Sequence, residues 1–209
     1  YYFKYTTIAI SADYLLTILY IMFTGIIEKK SKIISIKNGK KCVENPFWND
    51  LQLGQSIAHD GACMTIESFD NEKYCFFVME ESLKKTNFWE KKVWDYFNIE
   101  RCLKTWDRID GHFVSGHIDT TGRISTLEKK DDNSLILWIS FPEVFSKYTI
   151  EKWSIAINGV SLTIVDKKKW YISVSLILLT QDWTNLGKLI LWDSVNIEFD
   201  MLGKYILNK

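Results

Sequence analysis

The chain has 209 residues, 47% of them hydrophobic and 15% aromatic, enough apolar material to fill one large domain or two small ones. Twenty-six basic residues balance twenty-six acidic ones, so no sustained positive field is available to hold a nucleic-acid backbone, and the expected partner is a small molecule or another chain. The four cysteines, Cys42, Cys63, Cys75 and Cys102, lack CxxC spacing, and a chain with an ample core seldom needs disulfide staples, which predicts a reducing cytoplasm.

In chain order, residues 1–21 form a mostly apolar stretch broken by Asp13, with Lys4 as its one positive charge. A spanning helix wants about 20 apolar residues. The stretch is therefore expected to be a non-native upstream extension, with Met22 the true start and no membrane association. Beyond it, Cys75–Met79, Ser134–Ile139, Tyr171–Ile177 and Val195–Phe199 are short runs rich in β-branched and aromatic residues, and each predicts a strand. Glu80–Asn87 and Thr180–Asn185 each predict one helical turn, too short to cover a parallel sheet. The mixed charges of Glu128-Lys129-Lys130-Asp131-Asp132 predict a solvated hairpin tip.

An internal repeat organises these elements. Ser56-Ile57-Ala58 matches Ser154-Ile155-Ala156 at an offset of 98 (154 minus 56), and the register then holds without a gap. Gly61 falls on Gly159, Cys63 on Ser161, Thr65 on Thr163 and Asn87 on Asn185. Trp94-Asp95 falls on Trp192-Asp193, and Asn98-Ile99-Glu100 on Asn196-Ile197-Glu198. A second overlay puts Thr24-Gly25 on Ser115-Gly116. A duplicated unit of about ninety residues is too long for a solenoid repeat and suits a small domain. With strands throughout and little helical periodicity, a pair of all-β barrels is the economical architecture, with domains expected at 22–113 and 114–209.

Five blocks in order carry a resemblance: Met22-Phe23-Thr24-Gly25-Ile26-Ile27-Glu28; Ser56-Ile57-Ala58-His59-Asp60-Gly61; Gly111-His112-Phe113-Val114-Ser115-Gly116-His117-Ile118-Asp119; Ile157-Asn158-Gly159-Val160-Ser161-Leu162-Thr163; and Val195-Asn196-Ile197-Glu198-Phe199-Asp200. Together they resemble the riboflavin synthase family over essentially everything after Met22. The resemblance implies two tandem six-stranded Greek-key barrels related by pseudo-two-fold symmetry, with a short or truncated C-terminal helix. It further implies a cytoplasmic homotrimer whose active site joins the first barrel of one subunit to the second barrel of a neighbour, association with lumazine synthase, and no metal or cofactor. The implied reaction is the dismutation of two 6,7-dimethyl-8-ribityllumazine molecules into riboflavin and 5-amino-6-(D-ribitylamino)uracil. Two related pockets holding two copies of one reactant convert an encounter into a near-unimolecular step, an effect of roughly 7–11 kcal/mol. A non-catalytic lumazine or flavin carrier and a decayed homologue are the alternatives.

By resemblance, the first pocket takes Gly25, Ile26 and Ile27 with Cys63, Met64 and Thr65, and the strand Phe77, Val78, Met79, Glu80, Glu81 and Ser82 adds backbone contacts. Ser56 and His117 lie nearest the chemistry, flanked by Gly116 and Ile118. His117 is the proton relay, since imidazole as a class titrates near neutral pH. The second pocket takes Lys152, Ser161, Leu162, Thr163, the stretch Leu176, Ile177, Leu178, Leu179, Thr180 and Gln181, and Asp200. The expected catalytic set is His117, Ser56, Cys63 and Asp200. Read without the resemblance, His117 is a structural hydrogen-bonder and Ser56, Cys63 and Thr65 are ordinary strand residues. His59, His112 and His117 have no acidic or cysteine ligand at suitable spacing, so no metal site is expected.

Three departures from the family stand out. Trp89, Trp94, Trp106, Trp153 and Trp192 occupy positions where the family has glycine, and Trp89 falls opposite Gly187 in the repeat. Codons for the two residues can differ by one base, which predicts either a decayed gene or a tryptophan standing where the source reads glycine, with strain of ~1–3 kcal/mol per site; exposed turns that tolerate tryptophan are the alternative. Leu178 and Leu179 replace a proline and a polar residue in the second pocket. Only Ile206–Lys209 follow Tyr205, where the family continues into a helix that helps hold the trimer, which puts trimer formation in question.

Overall fold

Short segments rich in β-branched and aromatic residues become strands, some with one wet face and one dry face and others buried on both. The computed structural model describes residues 22–207, so the opening stretch expected to be non-native lies outside the described residues. In the first half the strands are β1 (Lys29–Lys37), β2 (Lys40–Glu44), β3 (Ser56–His59), β4 (Ala62–Phe69), β5 (Lys73–Phe77) and β6 (Tyr96–Arg101). Along β4, Ala62, Met64 and Ile66 are buried while Thr65 and Glu67 are exposed, the period of two that a half-buried strand requires. The second half repeats the set as β7 (Thr120–Lys129), β8 (Leu135–Ser140), β9 (Ser154–Ile157), β10 (Val160–Lys168), β11 (Tyr171–Leu176) and β12 (Ser194–Phe199). Short helices follow at α1 (Glu80–Lys85), α2 (Leu178–Trp183) and α3 (Met201–Leu207).

Each half closes into an antiparallel six-stranded barrel, in the order β1-β2-β5-β4-β3-β6 and the matching order for β7 to β12. Closure leaves no open sheet edge among the described residues of either half. The halves repeat even their irregularities: β-bulges fall between Ile33 and Ser35 and between Ile124 and Thr126, and again between Ile66 and Ser68 and between Ile164 and Asp166. The first core contains Ile33, Ile57, Ile66, Tyr74, Phe76, Phe88, Phe97 and Ile99, and the second Ile124, Leu137, Ile139, Ile155, Ile164, Val174, Ile197 and Phe199. The first barrel is the more aromatic.

Between the barrels a third, smaller cluster of Phe23, Ala58, Val114 and Ala156 lies on the pseudo-two-fold axis. Phe23 and Val114 pair there as an isolated antiparallel bridge. Cys42 and Cys75 stand opposite each other on β2 and β5 and form a disulfide, contrary to the expectation drawn from cysteine spacing. The reason is the register: spacing along the chain says nothing about which residues a barrel places side by side. Among the described residues no helix is long and apolar enough to cross a membrane.

Candidate active site

Two extended segments, Phe23–Ile27 and Val114–Ile118, each precede the first strand of one barrel and lie against the other barrel. Gly25, at φ 76°, accepts the Ser161 N–H on β10 at 2.8 Å, and Gly116, at φ 80°, accepts the Cys63 N–H on β4 at 2.8 Å. A Cβ on Gly25 would stand 2.7 Å from Ser161 Cβ, and one on Gly116 2.7 Å from Cys63 Cβ, so only glycine lets the segments approach this closely. Ile118 packs onto the first core and Ile27 onto the second. The expected grouping of Gly25, Ile26 and Ile27 with Cys63 is therefore replaced by a crossed one, in which they accompany Ser161 while Gly116, His117 and Ile118 accompany Cys63.

The first half-site is an outward face rather than a closed hole. Thr65, Phe77, Met79, Glu80, Glu81 and His117 are exposed, with Cys63, Ser82 and Ile118 half-buried. Met64 and Val78 point their side chains into the core, at 5% and 2% exposure, so only their backbones remain for a ligand. β5 ends at Phe77 and α1 begins at Glu80, which corrects the expected strand Phe77–Ser82: after Val78 the chain turns into a helix, with Ser82 inside it. Ser56 pairs with Thr65 across β3 and β4 and lines a hollow of 910 Å³ together with Arg101 and Cys102.

The second half-site repeats this face with Ser161, Leu162, Thr163, Ile177, Leu178, Leu179, Thr180 and Gln181. Leu176 is fully buried and belongs to the core. Gln181 donates to the Leu176 carbonyl at 2.9 Å, which ties α2 back to β11. A neighbouring hollow of 440 Å³ is lined by His112, Lys152, Trp153, Ser154 and Asp200. His112 Nδ1 lies 2.7 Å from Ser161 Oγ, while its Nε2 is buried without a partner. Burial holds the His112 imidazole below its ordinary range, with Asp200 opposing. His112 was not among the sequence-derived candidates, and its pairing with Ser161 spans too much chain for local pattern to reveal.

The remaining titratable groups divide clearly. His59 is fully buried between Tyr74, Phe76 and Phe97, with Nε2 2.8 Å from the Tyr74 hydroxyl, and desolvation holds it down to about 3. It is a core residue. The Cys63 thiol is raised chiefly by burial, and Cys102 is pushed up to about 12 by burial, then by Cys63 and Glu100. Neither is poised as a thiolate nucleophile near neutral pH.

A duplicated barrel whose two outward faces are each completed by a segment crossing from the other half defines a class, the tandem lumazine-binding proteins. The Lumazine binding domain family matches residues 24–102 and again 115–200. Riboflavin synthase of Actinobacillus pleuropneumoniae is 40% identical over 190 residues, covering 88% of each chain. That of Escherichia coli (strain K12) is 36% identical over 185 residues, covering 86% of this chain and 87% of the relative. The chain belongs to the riboflavin synthase family. The crystal structure of LumP complexed with 6,7-dimethyl-8-(1'-D-ribityl) lumazine shares the fold, with a TM-score of 0.75 and 22% identity over 84% of this chain and 98% of that one.

Proposed function

We propose that this protein is a riboflavin synthase, which takes two 6,7-dimethyl-8-ribityllumazine molecules and returns riboflavin and 5-amino-6-(D-ribitylamino)uracil. One pteridine gives a four-carbon fragment to the other, so two like pockets are what the chemistry needs. The observation that carries this reading is the crossed pair of half-sites, Cys63 with Gly116 and Ser161 with Gly25, repeated about one axis. The acidic position of the substrate is its 7-methyl group, whose anion delocalises into the ring. His117, exposed and next in sequence to Gly116, whose carbonyl accepts the Cys63 N–H, would carry that proton, with Ser56 on the barrel that bears Cys63. Lys152, Asp200 and His112, the last paired with Ser161, line the hollow beside the second half-site.

Each half-site is open to solvent in one subunit. Ile177, Leu178 and Leu179, 61%, 53% and 59% exposed, are apolar surface beside the second one, which supports coverage by a neighbouring barrel in a homotrimer. Lumazine synthase, which would supply the substrate, is the macromolecular partner expected. The same two leucines favour the second reading, a lumazine carrier in which the second face has lost its polar contacts.

Incubating the purified protein with 6,7-dimethyl-8-ribityllumazine separates the readings. Riboflavin appears if the chain is the enzyme. Saturable binding without product identifies a carrier, and neither outcome points to a decayed homologue.

A further inference from the structure

Each crossing segment is held at its glycine by a buried carboxylate from the last strand of its own barrel. On β12, Glu198 Oε1 accepts from Ser115 N–H at 2.6 Å and from Ser115 Oγ at 2.7 Å, and Oε2 accepts from Gly116 N–H at 3.0 Å. On β6, Glu100 repeats the pattern with Thr24 N–H at 2.7 Å, Thr24 Oγ1 at 2.8 Å and Gly25 N–H at 3.0 Å. The carboxylate residues are 1% and 5% exposed. Among the described residues no lysine or arginine forms an ion pair with either, so three donors each, with Lys204 acting on Glu198 from farther off, oppose a burial that still raises both carboxyls.

The Glu198 clamp reaches the chemistry in one further step. Ser115 Oγ, which donates to Glu198, also accepts the His117 N–H at 3.2 Å. Gly116, whose N–H is gripped by the same carboxylate, passes its carbonyl to Cys63 N–H. A neutral amide at position 198 would turn an NH2 group toward at least one N–H donor and loosen the segment, while leaving the hydrophobic cores untouched.

We propose that Glu198 and Glu100 are positioning residues of the two half-sites, Glu198 fixing His117 through Ser115 and Gly116, and Glu100 fixing Gly25–Ile27 against Ser161. The proposal rests on the lumazine-dismutation reading and deepens it: the duplicated glutamate of the repeat sets the geometry of the crossed contacts rather than touching substrate.

A double-mutant cycle in the full chain tests it, with turnover of 6,7-dimethyl-8-ribityllumazine as the readout. Glu198→Gln is expected to lower kcat at least about tenfold with little change in KM, the signature of a misplaced group. In a His117→Ala background the same change is expected to alter kcat less than about twofold, because both substitutions remove one function. A kcat for Glu198→Gln within about twofold of the parent, or an equal loss in both backgrounds, overturns the proposal. Should circular dichroism show that Glu198→Gln does not fold, Ser115→Ala, which removes one donor from the clamp, carries the same cycle with the same criteria. A parent protein that turns over no lumazine defeats the functional reading and the proposal together, whereas an active parent with additive variants defeats the proposal alone.

Discussion

Trp94 and Trp192 hold φ at 79° and 73°, in equivalent turns where each N–H donates at 2.9 Å to an isoleucine carbonyl of the first strand, Ile33 and Ile124. Trp106 at 76° shares this left-handed backbone, and so does Trp48 at 55°, a position the sequence did not flag. Their side chains are 69–97% exposed, so little packing offsets the strain. Trp94→Gly and Trp192→Gly should each stabilise by about 1 kcal/mol, a rise of roughly 2–4 °C in melting temperature. Trp89 and Trp153, expected to be strained on the same ground, do not have positive φ, and glycine there is expected to yield less; calorimetry of the four variants decides.

His59 gives a pH signature at the same scale. Buried and held to about 3, it stays neutral in the native state while the unfolded chain takes up a proton below its ordinary 6.5. Stability is therefore lost as pH falls from 6.5 toward 3, by about 2 kcal/mol at pH 5. Burial raises Glu100 to about 7, which acts in the opposite sense between 4.5 and 7, so the difference between parent and His59→Gln denaturation curves at each pH isolates the histidine. A difference that does not change with pH contradicts the assignment. His117→Ala is expected to lower turnover by about 10²-fold or more while binding changes little, since a proton relay acts in the reaction rather than in the complex; unchanged turnover removes His117 from that role.

Between elements, the seam of the two barrels is polar beside the apolar cluster of Phe23, Ala58, Val114 and Ala156. Asn98 and Asn196, Asn87 and Asn185, and Asp60 and Asn158 interlock across it in repeat-related pairs. The symmetry breaks at Asp60, a fully buried carboxylate 2.6 Å from Lys91 Nζ where the second half has Asn158. Burial raises Asp60 and Lys91 opposes. Lys91→Ala strands that carboxylate and should cost about 3–5 kcal/mol in urea unfolding, while adding Asp60→Asn should recover most of the loss. Strands and turns such as β11 and the Glu128–Asp132 tip were legible because their signals are local: alternation, β-branched residues, mixed charge. The crossing segments were not, since Gly25 meets Ser161 only through closure of two barrels. His112 escaped for the same reason, and the Cys42–Cys75 bond depends on a strand register that spacing does not encode.

At the scale of the whole molecule, duplication supplies two faces of one design, and the reaction proposed for them consumes two copies of one substrate. Glu100 and Glu198, Gly25 and Gly116, Cys63 and Ser161 each occur once per half in equivalent places, so both faces should hold a pteridine. A carrier with one surviving pocket would share the barrels but not this count. Equilibrium dialysis of the slowed His117→Ala variant against 6,7-dimethyl-8-ribityllumazine measures it directly. Two molecules bound per chain at saturation is the predicted result; a single molecule per chain would contradict the account of paired half-sites.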